Sequence, residues 1–123
     1  MENIKINIDD YKEHGLEDIY YSLMSFASQY VTTHYDPMET FKKEESQYAV
    51  AFITMKTGIK EILDYLRDND EVYIPSLNRN IKFSTINFEE LVALEERCKE
   101  YLLLKLEQAL GKEAEQPKSP QQR

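Results

Sequence analysis

The chain has 123 residues, 41% hydrophobic and 31% charged, with a formal net charge of −8 and one cysteine. That length suits a single domain, and no apolar run approaches the roughly 18–20 residues a bilayer-spanning helix requires. The acid surplus disfavours direct binding to nucleic acid or to anionic membrane surfaces, because both draw their affinity from protein cations.

Residues 1–5 show no basic stretch followed by an apolar one, so no secretory leader is expected. Cys98 alone excludes an internal disulfide, and it excludes any zinc site built on two thiolates of this chain. Together these features predict a protein of the reducing cytoplasm. The acids are densest at the start: residues 1–36 carry seven of them against Lys5 and Lys12. Such a surface suits solubility or docking onto a basic partner.

Ile4, Ile6 and Ile8 alternate with Lys5 and Asn7, which predicts a short half-buried strand ended by Asp9 and Asp10. Asp10 and Glu13 stand at capping-box spacing, so a helix can begin there, with a start near Leu16 beyond Gly15 as the alternative. Leu16, Ile19, Tyr20, Leu23, Phe26, Ala27, Tyr30 and Val31 then form one stripe at helical period. Asp36-Pro37 is expected to stop this first helix, since proline disfavours helical geometry in the residue before it. Residues 38–45 read as a polar connector or a short extra turn.

Residues 47–70 admit two readings. Residues 48–53, Tyr-Ala-Val-Ala-Phe-Ile, look locally like a buried strand with a helix beginning after Thr57-Gly58. As one helix, however, Tyr48, Ala51, Phe52, Met55, Ile59, Ile62, Leu63 and Leu66 stay in phase, and Thr57 and Gly58 fall off that stripe. Phase kept through the suspected break favours one helix, with Gly58 costing about 1 kcal/mol relative to alanine.

Glu71–Ile74 and residues 81–85 flank the turn-rich run from Pro75 to Asn80, which predicts an antiparallel β-hairpin. Residues 5–8 are a candidate third strand. Asn87 and Glu90 again have capping-box spacing, directly before an apolar-periodic run. That third helix is expected to reach about Leu110, with Gly111 as its stop. The expected fold class is thus mainly α, a three-helix bundle with a small antiparallel β-hairpin. Residues 1–111 form one globular helical domain in this reading, and residues 112–123, containing Pro117 and Pro120, form a disordered polar tail.

Little in the sequence supports catalysis. His14 and His34 lack metal-ligand spacing, and glycines 15, 58 and 111 form no phosphate-binding loop. Cys98 shares a helix face with Leu91, Leu94 and Tyr101, which predicts a buried small hydrophobe. Among paired carboxylates, Glu61-x-x-Asp64 resembles one half of the magnesium site of the all-α nucleotide pyrophosphohydrolases; the Glu-x-x-Glu half is missing. The helix–hairpin–helix order of residues 48–110 resembles small helical nucleases of the HEPN type, whose active site needs an Arg followed four to six residues later by His. None of Arg67, Arg79, Arg97 and Arg123 is so followed. No cofactor is expected, and Glu61 with Asp64 is the only metal candidate.

Two features read as binding signals. Residues 101–106, Tyr-Leu-Leu-Leu-Lys-Leu, are apolar around most of a helix circumference, so the helix is expected to bury a second face under the first helix or against another chain. Tyr101, Leu103 and Leu104 are the candidates for that contact. Asn78, Arg79 and Asn80 form a polar loop tip that could read a partner by hydrogen bonding. Tyr20, Tyr30, Tyr48 and Tyr101 are expected in the core with hydroxyls at its rim, and Tyr21 and Tyr35 on the surface. The function expected is a non-enzymatic accessory or regulatory protein that binds a protein partner or itself as a homodimer. The rival expectations are a magnesium-dependent phosphohydrolase and an acidic mimic of nucleic acid that occupies a basic groove.

Overall fold

The computed structural model describes residues 6–38 and 46–115. It opens not on a strand but on a 3-10 segment, Ile8–His14. Asn7 caps that segment by accepting the Asp9 N–H at 3.1 Å, and Lys12 reaches back to Asp9 at 3.0 Å. This local capping takes Ile8 out of the alternating pattern, so residues 6–8 add no strand to the sheet; Ile4 and Lys5 lie outside the described residues, as does the His14 ring. Gly15, at φ +70°, ends the segment with its N–H on the Lys12 and Tyr11 carbonyls. Of the two starts considered for the first helix, the later one is realised.

Helix α1 spans Leu16–His34 and buries Leu16, Ile19, Leu23, Ala27 and Val31, one side chain per turn. It ends one residue short of Asp36-Pro37: Tyr35 is extended and gives its N–H to the Val31 carbonyl. Residues 39–45, read as part of a connector, lie outside the described residues.

Helix α2 spans Gln47–Asp68 without a break, as the phase of its apolar positions predicts. Ser46, itself buried, caps it by accepting the Ala49 N–H on Oγ at 3.2 Å. Its buried stripe is Ala51, Met55, Gly58, Ile59, Ile62, Leu63 and Leu66. Gly58 therefore lies on the stripe, contrary to expectation. A Cβ there would stand 2.6 Å from Leu102 Cδ2, so the absent side chain is what lets the third helix approach.

Strands β1 (Glu71–Ile74) and β2 (Arg79–Lys82) pair antiparallel, with Glu71 opposite Lys82 and Ile74 opposite Arg79. Asn78, at φ +56°, turns the chain between them. Among the described residues the sheet has these two strands alone. The second strand starts two residues earlier than expected and yields to a 3-10 turn at Phe83–Thr85. Asp70 is the cause. Its carbonyl accepts the Phe83 N–H at 2.7 Å, and its carboxylate accepts the Ser84 N–H and Oγ–H at 2.8 and 2.9 Å.

Helix α3 spans Phe88–Glu115. The capping box forms reciprocally: Glu90 N–H donates to Asn87 Oδ1 at 2.8 Å, and Asn87 N–H donates to Glu90 Oε1 at 3.2 Å. Gly111 does not stop the helix, which continues to Glu115. A glycine ends a helix by adopting positive φ, and Gly111 does not. The rest of the expected tail, residues 116–123, lies outside the described residues.

The three helices meet around one core. α2 is central, packing extensively on both α1 and α3, while α1 touches α3 more sparingly. The hairpin adds Ile74 and Ile81 to the same core, and the 3-10 segment adds Tyr11.

Candidate partner-binding surface

Because α1 covers little of α3, the second face of residues 101–106 stays partly open. Leu102 and Leu106 are buried, Leu103 is half-buried, and Tyr101 and Leu104 are exposed by 38% and 53%. The expectation that α1 covers this face fails on those two side chains. Beside Tyr101, α2, α3 and β1 form a groove of about 730 Å³. Its apolar lining is Ile62, Leu66, Val72 and Leu94, with Cys98 beside Leu94. Tyr65, Tyr73 and Tyr101 stand around it, the first two exposed by 52% and 53%.

One end of the groove is crossed by a polar clamp. Glu61 Oε1 on α2 accepts from Tyr101 Oη–H at 2.8 Å and from Lys105 Nζ at 3.1 Å, both on α3. The Tyr101 hydrogen bond, together with Lys105, holds the Glu61 carboxyl below its ordinary pKa, against the effect of burial. The same hydrogen bond raises the Tyr101 phenol, and contact with Glu61 raises Lys105. Beyond the clamp lies a shallower hollow of about 340 Å³ between Ile53, Thr57 and Gln108. Arg97 also borders the groove and forms a long 3.7 Å pair with exposed Glu100. The Cys98 thiol is buried, which pushes its pKa up to about 12, so it acts as the small hydrophobe its helix position predicts.

Asp64 faces a different neighbour. Burial works against its ionisation, but hydrogen bonds from Tyr11 Oη at 2.7 Å and Lys60 Nζ at 2.9 Å outweigh that and lower its pKa. Arg67 adds a 3.5 Å pair to the same carboxylate and lies over the Tyr11 ring. Glu61 and Asp64 are thus three residues apart in sequence but committed to different elements, Glu61 to α3 and Asp64 to the 3-10 segment. Among the described residues, no three His, Cys, Asp or Glu side chains gather as a metal site.

The hairpin tip is tied down. Asn78 Oδ1 accepts from Tyr73 Oη at 2.7 Å, and Arg79 pairs with Glu90 at 2.6 Å. Asn80 is exposed. His34 Nδ1 donates to the Tyr30 carbonyl at 2.9 Å, with the two rings stacked 4.0 Å apart. Tyr20, Tyr30 and Tyr48 are half-buried and Tyr21 is exposed, as expected; Tyr35, expected on the surface, packs against the core. Sequence reading missed Tyr65 and Tyr73, although Tyr73 has the outward phase of its strand between Val72 and Ile74.

Among the described residues, no helix is long and apolar enough to cross a membrane. Comparison with family models, with curated proteins and with solved structures finds no match.

Proposed function

We propose that this protein is a non-enzymatic cytoplasmic accessory or regulatory protein that binds another protein through the surface around Tyr101 and Leu104. The observation that carries this reading is the gathering of exposed Tyr65, Tyr73 and Tyr101 around one groove, with Leu104 exposed one turn along α3 from Tyr101. Tyrosine is enriched at interfaces because it offers a large rigid apolar body and a hydroxyl at low cost in conformational entropy. The groups best placed for chemistry support the same reading: the Cys98 thiol is un-ionised near neutral pH, and Glu61 and Asp64 are occupied by internal partners.

The test is site-specific photo-crosslinking in the native host. A benzophenone side chain at position 104 captures one defined protein, whereas the same group at position 21, exposed on α1, does not. Leu104→Lys abolishes the contact with an unchanged circular dichroism spectrum. Identical captures from both positions, or none from position 104, remove the proposal. The exposure of Leu104 also favours a second copy as the partner, since two α3 helices related by a two-fold axis could set Leu104 against Tyr101. In that case the wild-type protein sediments as a dimer and Leu104→Lys as a monomer, while a monomeric wild type removes self-association.

A further inference from the structure

We propose that the groove between α2, α3 and β1 is a binding site for a small aromatic carboxylate, with Arg97 as the residue that holds the acid group. This goes beyond the protein-binding role: the two share Tyr65, Tyr73 and Tyr101, whereas Leu104 lies outside the groove lining and belongs to the protein-binding surface alone. The dimensions come first. At about 730 Å³ the groove falls within the range of roughly 300–1,000 Å³ typical of small-molecule sites, and its lining follows their pattern of an apolar body with a few placed polar groups.

The groove is also short. From Leu94 to Lys105 it follows α3 for about 16 Å at ~1.5 Å per residue, and the Glu61–Tyr101–Lys105 clamp then crosses from one helix to the other. A continuous partner helix lying in the seam would have to displace that clamp. A compact molecule would not.

Charge selects the ligand. The chain as a whole carries −8, yet the groove is bordered by two cations, Arg97 and Lys105, and one acid, Glu61. Lys105 and Glu61 are engaged with each other, which leaves Arg97 as the cation with something to offer. Its pair with Glu100 is long, at 3.7 Å, and Arg97 and Glu100 are 50% and 70% exposed, so water and salt weaken it. A guanidinium fork matches a carboxylate with two parallel hydrogen bonds. Tyr65, Tyr73 and Tyr101 supply faces and edges for a flat ring above the floor of Ile62, Leu66 and Val72. An aromatic cation would meet Arg97 and is disfavoured.

The test is an NMR amide-shift titration of the full chain with 2-naphthoate, its neutral analogue 2-naphthamide and 2-naphthylmethylammonium. Naphthoate moves the amides of residues 61–66, 72–73 and 94–105 and binds at least about tenfold more tightly than naphthamide, as a charge-assisted pair should. Arg97→Gln brings naphthoate down to the naphthamide level and leaves naphthamide unchanged. Arg97→Lys recovers part of the difference. Tyr65→Ala weakens both ligands. Equal binding of the acid and the ammonium, shifts mapped elsewhere, or no binding at all overturns the inference. So does tighter binding of a pentapeptide ending in phenylalanine, which would make the occupant a chain terminus. None of these failures touches the crosslinking result at position 104.

Discussion

Gly58 on α2 and Leu102 on α3 are locked in a contact that leaves no room for a methyl group: a Cβ at 58 would stand 2.6 Å from Leu102 Cδ2. Leu102 is wholly buried, so its Cδ2 would have to shift within the packed core to admit a methyl group. Replacing a helical glycine by alanine ordinarily stabilises by up to about 1 kcal/mol. Here overpacking reverses the sign. Gly58→Ala is expected to destabilise by about 1–3 kcal/mol in urea denaturation. Gly111, also helical and with nothing within 4 Å of its Cβ position, is the internal control. Gly111→Ala raises stability, and a matching gain at position 58 would contradict the close helix contact.

Asp64 and Glu61 contribute to the acid limb of stability. Both carboxyls lie below their ordinary values of 3.8 and 4.5 in the folded protein. The unfolded chain therefore takes up protons first as pH falls. Their contribution is complete above those ordinary values and is lost on descent through them toward the lower folded values. Asp64→Asn is expected to lower stability at neutral pH and to flatten the acid limb. A pH-stability profile for the variant parallel to wild type below pH 5 would contradict this.

Tyr11 gives the opposite limb. Burial, and then its hydrogen bond to Asp64, raise its phenol from 10.0 to about 12. Its contribution is whole below pH 10 and is lost as pH rises toward 12, because the unfolded chain ionises first. Tyr11→Phe is expected to cost about 0.5–1.5 kcal/mol at neutral pH for the lost hydrogen bond. It should also soften the alkaline decline, measured by thermal unfolding between pH 8 and 11.

Asn87 closes the capping box at the start of α3. Asn87→Ala removes the acceptor for the Glu90 N–H and is expected to cost about 1 kcal/mol. Asn87→Ser should keep most of that, since serine caps comparably well. Equal losses for the two variants would show that the loss does not come from the capping hydrogen bond.

Cys98 should be inert in the native state. A thiol moved from 9.0 to about 12 holds roughly a thousandfold less thiolate at pH 8. Labelling by iodoacetamide is expected to be slow in buffer and fast in urea. Comparable rates in the two would place the side chain outside the core.

How far the sequence could be read depended on whether a residue's role lay near it in the chain. The phase of Met55, Ile59, Ile62 and Leu66 carried α2 through a stretch that looked like a strand, and Asn87 with Glu90 announced the start of α3. Roles defined by distant residues were hidden. Gly58 read as a tolerated defect because Leu102, which gives it meaning, is 44 residues away. Alternation alone puts Ile8 in a strand, but Asn7 and the acids beside it decide its conformation. Gly111 carried a stop signal that operates only at positive φ. Tyr101 and Leu104 were visible as an excess of apolar residues on one helix. Tyr65 and Tyr73 joined them only once β1 was folded against α2 and α3.

Asp70 fastens the two ends of the hairpin to each other, through Phe83 by its carbonyl and Ser84 by its carboxylate. A root sewn shut in this way holds the strands in register, yet the tip still reaches the rest of the molecule: Leu77 packs against the core and Arg79 pairs with Glu90 in the first turn of α3. Foreign sequence spliced between Ser76 and Leu77 would cost only about 0.6 kcal/mol of closure for each doubling of loop length, but it would also part the Leu77 and Asn78 N–H groups from the Ile74 carbonyl. A graft there is therefore expected to spare the hairpin root and to be felt by the helices through Leu77.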